Sequence, residues 1–177
     1  SVVTTASVEN VKLNGKSVDA YASVASAIAN ANTVEDGTLM NKLTADVAGT
    51  ASVKAYWGLD KNSTKVDESK SGTPASDWTF NAASGIYVVE YKSTVDGKTV
   101  TRYVAVAPVA MYTVTVVNTS TESSARVTIG NETKKVAKKT GSTDGTAEFA
   151  KVVKDAEFNV TIEAEKGKTI TVTDVTG

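Results

Sequence analysis

The side chains best suited to hold a ligand in this sequence are Tyr56, Trp57 and Trp78. Aromatic faces stack on the apolar faces of sugars, and their polar tips hydrogen-bond the hydroxyls. Trp57 alternates with Tyr56 and shares its face with Val53 and Ala55, so the same spacing also suits a core position. Carboxylates occur as Glu35-Asp36, Asp67-Glu68, Asp144 and Asp155. Calcium needs six to eight oxygen ligands, but no D-x-D-x-D-G loop gathers these acids, and they read as solvated turn residues. Lys134, Lys135, Lys138 and Lys139 bracket Val136-Ala137. They suit either an anionic polymer or an edge strand guarded against other strands. Four asparagines, Asn62, Asn118, Asn131 and Asn159, stand in N-x-S/T triplets and match the N-glycosylation pattern.

The chain contains no cysteine and no histidine. Disulfides, thiolate chemistry and cysteine-based zinc sites are therefore excluded, and so is the side chain best poised for proton transfer near neutral pH. We expect no catalytic residue, no cofactor and no metal centre. The 19 basic and 20 acidic residues leave a net charge of −1. A nucleic-acid binder would need a basic face to replace phosphate counterions. No window approaches the ~20 apolar residues that span a bilayer. Starting at Ser1 with no basic or apolar leader, the chain reads as a processed or trimmed polypeptide.

The elements that must position these residues are strands. Val and Thr dominate, and Cβ branching suits a pleated surface. The segment from Ser84 to Pro108 places Asp96-Gly97 between two alternating runs, a strong hairpin signal. Ile86, Val88, Glu90 and Lys92 point one way, Tyr87, Val89 and Tyr91 the other. Strands are expected over Ser1–Val8, Lys42–Val47, Ala51–Trp57 and Trp78–Phe80, with a polar loop from Gly58 to Pro74. A short helix is expected near 18–30, where Val18, Tyr21, Val24, Ala25 and Ile28 fall at helical spacing and Ser17 or Asp19 could cap the start. Pro108 suits a strand exit, which divides the chain into domains 1–109 and 110–177. The second has six expected strands, the last near Lys168–Val175. With 177 residues, two small sandwiches fit better than one large domain.

Glu35-Asp36-Gly37-Thr38-Leu39, Asn41-Lys42-Leu43-Thr44 and the Gly85…Tyr87…Tyr91…Arg102…Val104…Val106 hairpin together resemble the bacterial Ig-like repeats of cell-surface proteins, over about residues 11–107. The Asp-Gly turn is tighter than in those repeats, and the stretch between Trp57 and Trp78 is longer. The second half resembles small transthyretin-like sandwiches. These resemblances imply an all-β fold of two tandem Ig-like antiparallel sandwiches, with the helix in the first. They imply a corner tyrosine at Tyr87, bonded back to the main chain. Lys–Asn isopeptide cross-links also occur in such surface sandwiches. Lys54 and Asn159 are the candidates, although Asn159 falls on a polar face.

The expectation for function is an extracellular, cell-surface structural module, in a surface layer, filament or adhesin stalk. Its partners would be further copies or neighbouring surface domains, with a wall or surface glycan as a further ligand, and no nucleic acid. Val2, Val3 and Val8 of the first run are the candidate subunit-contact strand. The alternative is a carbohydrate-binding accessory module of a secreted enzyme, using Trp57 and Trp78.

Overall fold

The computed structural model describes residues 3–172. Strands dominate it and the fold is all-β. The chain divides into two compact units, one running to Ala110 and one starting at Met111.

The first unit contains β1 (Val8–Leu13), β2 (Lys16–Ser17), α1 (Val24–Ala29), β3 (Asn32–Glu35), β4 (Thr38–Leu39), β5 (Leu43–Val47), β6 (Thr50–Leu59), β7 (Ser71–Gly72), β8 (Thr79–Phe80), β9 (Ile86–Val95) and β10 (Lys98–Val109). These form a five-stranded sheet in the order β3-β10-β9-β6-β7, a three-stranded sheet β2-β1-β5 and the small pair β4-β8. The β9–β10 hairpin is central. Asp96 and Gly97 take φ values of 50° and 75°, both in the left-handed region that a two-residue primed turn demands. The ladder then runs without a slip from Lys98↔Val95 to Val106↔Tyr87.

β9 is buried on both faces. Tyr87, Val89 and Tyr91 enter a core shared with Val11, Leu13, Leu43 and Phe80. Val88 faces the opposite way, into a second cluster with Ala27, Ile28, Tyr56, Leu59 and Ala105. The three-stranded sheet thus covers one face of the five-stranded sheet, and α1 covers the other. Among the named strands of this unit pairing is antiparallel except for β3, which runs parallel to β10 at the edge.

Several elements differ from expectation. The helix is six residues long and is capped by Ser23, whose Oγ accepts from the Ser26 N–H at 3.1 Å. Ser17 and Asp19 do not cap it. Tyr21 and Tyr103 exchange main-chain hydrogen bonds of 2.9 and 2.8 Å, so the backbone is extended at Tyr21 and no helix can begin earlier. The first strand begins at Val8, where the run from Ser1 to Val8 was expected to end; residues 3–7 carry no ladder. The polar loop is shorter than expected, since β6 runs on to Leu59 and β7 pairs with Ala55 and Tyr56.

The second unit contains β11 (Met111–Asn118), β12 (Ala125–Ile129), β13 (Glu132–Val136), β14 (Gly145–Val153) and β15 (Val160–Ala164). β11 pairs with β14, and β13-β12-β15 form a separate sheet. Val127, Ile129, Val136 and Phe149 are its buried apolar residues, with Val114, Val116, Ala147, Val152 and Ile162 packed against them. The sixth expected strand does not form over 168–172, and the rest of that run lies outside the described residues. Gly145 starts β14 against the Ala137 backbone, so closely that a Cβ would overlap the Ala137 carbonyl.

Candidate functional site

Trp57 leaves β6 beside a register irregularity between Tyr56 and Leu59, and its N–H donates to the Lys70 carbonyl at 3.0 Å. Trp78 sits at the turn into β8. Its N–H donates to the Ala75 carbonyl at 3.1 Å, and its carbonyl accepts from the Met40 N–H at 2.8 Å. The two indoles meet edge to face, with centroids 6.0 Å apart and planes at 76°. The six-membered ring of Trp78 lies against Gly72, where a Cβ would come within 2.5 Å of it. Both tryptophans are half-buried and pack on the first core. They border an open recess of about 350 Å³ with Asp77, Thr79, Asn81 and Tyr87. The Thr79 hydroxyl donates to Asn81 Oδ1 at 3.1 Å. This lining offers ring edges together with a carboxylate and an amide, a mixture that suits a polyhydroxylated ligand.

Beneath the recess, the Tyr87 hydroxyl accepts from the Asn81 N–H at 3.2 Å. The main-chain bond expected of Tyr87 is therefore present, and its ring packs edge to face on Phe80 at 5.2 Å.

A second cluster, which the sequence reading does not single out, occupies the opposite face of the five-stranded sheet. The register places Lys54, Glu90 and Tyr103 in one row across β6, β9 and β10. Glu90 is only 9% exposed. Lys92 Nζ stands 3.4 Å from it, and the Tyr103 hydroxyl bonds to it. Glu68 comes over from the loop, with Lys54 Nζ 2.6 Å from one oxygen and the Tyr56 hydroxyl donating to the other at 3.1 Å. Burial and then the Glu90 charge push the Tyr56 phenol up to about 12, and the same two causes raise Tyr103. The Lys54 hydrogen bond holds Glu68 below the ordinary carboxylate range. Every carboxylate in the group is matched by a cation or a phenol, so the cluster pins the loop to the sheet. Alternation along β9 put Glu90 and Lys92 on one face, but only the register of three strands brings Lys54, Tyr56 and Tyr103 to them.

The remaining candidates scatter. Asn62 is exposed in a turn, where its N–H donates to Asp60 Oδ1 at 2.8 Å. Asn131 and Asn159 are exposed, Asn131 at the β12–β13 turn and Asn159 just before β15. Asn118 is committed elsewhere, because its side-chain amide donates to the carbonyls of Ser123 and Val136 at 3.0 and 3.3 Å. Val8 pairs with Val47 along one edge of β1. Val3 is 78% exposed, and Val2 lies outside the described residues. Lys54 and Asn159 fall in different units, and Lys54 is engaged by Glu68. Lys134 and Lys135 lie on β13 and Lys138 and Lys139 follow it; β13 is at the margin of its sheet, and Lys134 pairs with Glu132 at 2.8 Å. Among the described residues no helix is long and apolar enough to cross a membrane. No protein-family model, curated protein or solved structure matches the chain, so the likeness to surface modules rests on the quoted motifs.

Proposed function

We propose that this chain is a structural module of an extracellular surface assembly and works through strand-mediated contacts between copies rather than through catalysis. The observation that carries the reading is the segment at residues 3–6. It is uncharged, it runs ahead of β1 without a ladder, and it holds Val3 out in solvent. Strand-forming residues with unpaired main-chain groups recruit another sheet edge. The Ig-like motifs support the same reading, as does a first unit whose central sheet is covered on both faces. The test is sedimentation velocity over a wide concentration range, paired with electron microscopy. The 177-residue chain should form regular assemblies, and deletion of residues 1–6 should leave folded monomers. If this chain stays monomeric at every concentration, the reading is removed.

The aromatic recess favours one second reading, a carbohydrate-binding module. Saturable binding on a glycan array, lost in Trp57→Ala or Trp78→Ala proteins with unchanged circular dichroism, would put this reading first.

A further inference from the structure

Among the described residues the second unit has four fully buried apolar side chains, while Tyr112, Val117, Phe158, Val160, Ile170 and Val172 stand exposed. Two of these lie on β11. Among the described residues β11 pairs with β14 alone, so its other edge has no described partner strand.

The margins of this unit are not treated alike. β13 carries Glu132, Lys134 and Lys135, and two of these side chains also cover the open side of β14: Glu132 accepts from the Ala150 N–H at 2.8 Å, and Lys134 donates to the Glu148 carbonyl. β15 carries Glu163. Charges on an edge repel an incoming strand because they would be desolvated by it. β11 reads Met-Tyr-Thr-Val-Thr-Val-Val-Asn and holds no charge over eight residues.

The first unit supplies the complement. Val3, Thr4, Thr5 and Ala6 are uncharged and outside any ladder. The segment is first fixed at Ser7, whose N–H donates to Ser93 Oγ at 3.0 Å and whose carbonyl accepts from the Ala48 N–H at 3.0 Å. One unit therefore has a spare strand, and the other has an unguarded edge of the same Thr/Val composition.

We propose that the free edge of β11 accepts residues 3–6 of a second copy as an added strand. This rests on the self-assembly reading above and adds the acceptor. The two surfaces differ, so the contact is heterologous and joins copies head to tail, into a ring or an open filament. Four residues make few hydrogen bonds, so assembly should depend steeply on concentration.

The absence of cysteine makes engineered thiols unique. Val3→Cys, Thr115→Cys and Val117→Cys proteins are purified separately and oxidised alone or in pairs, near the association midpoint. The expected result is a disulfide between Val3→Cys and one of the β11 variants, in yields several-fold above any variant alone. Val117→Lys and Thr115→Lys should each weaken association at least tenfold with unchanged circular dichroism. If copies associate but β11 thiols couple mainly to each other, or if the lysine variants associate normally, the acceptor is wrong while self-assembly stands. The acceptor is equally wrong if hydrogen exchange finds the outer β11 amides protected in the monomer. If wild type is monomeric at every concentration, both fall together.

Discussion

Tyr87 joins two kinds of stabilisation in one side chain. Its ring packs on Phe80 and its hydroxyl satisfies the Asn81 N–H. Tyr87→Phe keeps the first and removes the second, so it should lower unfolding free energy by about 1 kcal/mol. Phe80→Ala opens a cavity in a fully buried site and should cost about 3–5 kcal/mol. Urea denaturation of the two variants checks both figures. Tyr56 sets an alkaline limit. Its phenol ionises near 12 in the folded protein against 10.0 when exposed. The folded state therefore favours the protonated form, and that contribution is complete below pH 10 and is lost as pH rises toward 12. Wild-type stability should fall more steeply than that of Tyr56→Phe across this window. Denaturant midpoints measured from pH 9 to 12 decide it; parallel curves would remove the linkage.

At the scale of elements, β9 departs from the usual half-buried strand. In an ordinary sandwich strand, neighbouring residues alternate between tolerant and sensitive positions. Here Val88 and Val89 are both buried, in different clusters. Val88→Ala and Val89→Ala should each destabilise by about 2 kcal/mol, read as equal losses in thermal midpoint. A loss at only one position would mean that one face is less well covered than it looks. The hairpin was legible in sequence because Asp96-Gly97 and strict alternation are local signals. So were the faces of β6, where Lys54 and Tyr56 oppose Val53, Ala55 and Trp57. The helix start was not legible, because a main-chain bridge to Tyr103, far along the chain, holds Tyr21 extended. The parallel edge at β3 and the Glu90 cluster were hidden for the same reason: both depend on register between distant strands. The Trp57–Trp78 pair was named residue by residue, yet its edge-to-face geometry depends on Gly72, which no local pattern marks.

At the scale of the whole molecule, the two units differ most in their interiors. Among the described residues eighteen buried apolar side chains belong to the first unit and four to the second. Calorimetry should resolve two transitions, with the second unit melting first. Gly145→Ala forces a Cβ into the Ala137 carbonyl, so it should lower that first transition by roughly 2–3 kcal/mol of stability and leave the other in place. A single transition that moves as one would show that the chain melts as a single cooperative body. The parallel pairing of β3 with β10 has a mechanical meaning. Under the assembly role proposed above the chain would carry tension, which leaves the first unit where β10 ends at Val109. Over its last four residues β10 lies beside β3 with both strands running in the same direction, and β9 grips it from Lys98 to Val106 on the other side. A pull along the axis of β10 shears these bonds together, whereas a pull across the strands would peel them one at a time. The edge strand that local sequence could not orient thus lies where it can act as a clamp against force.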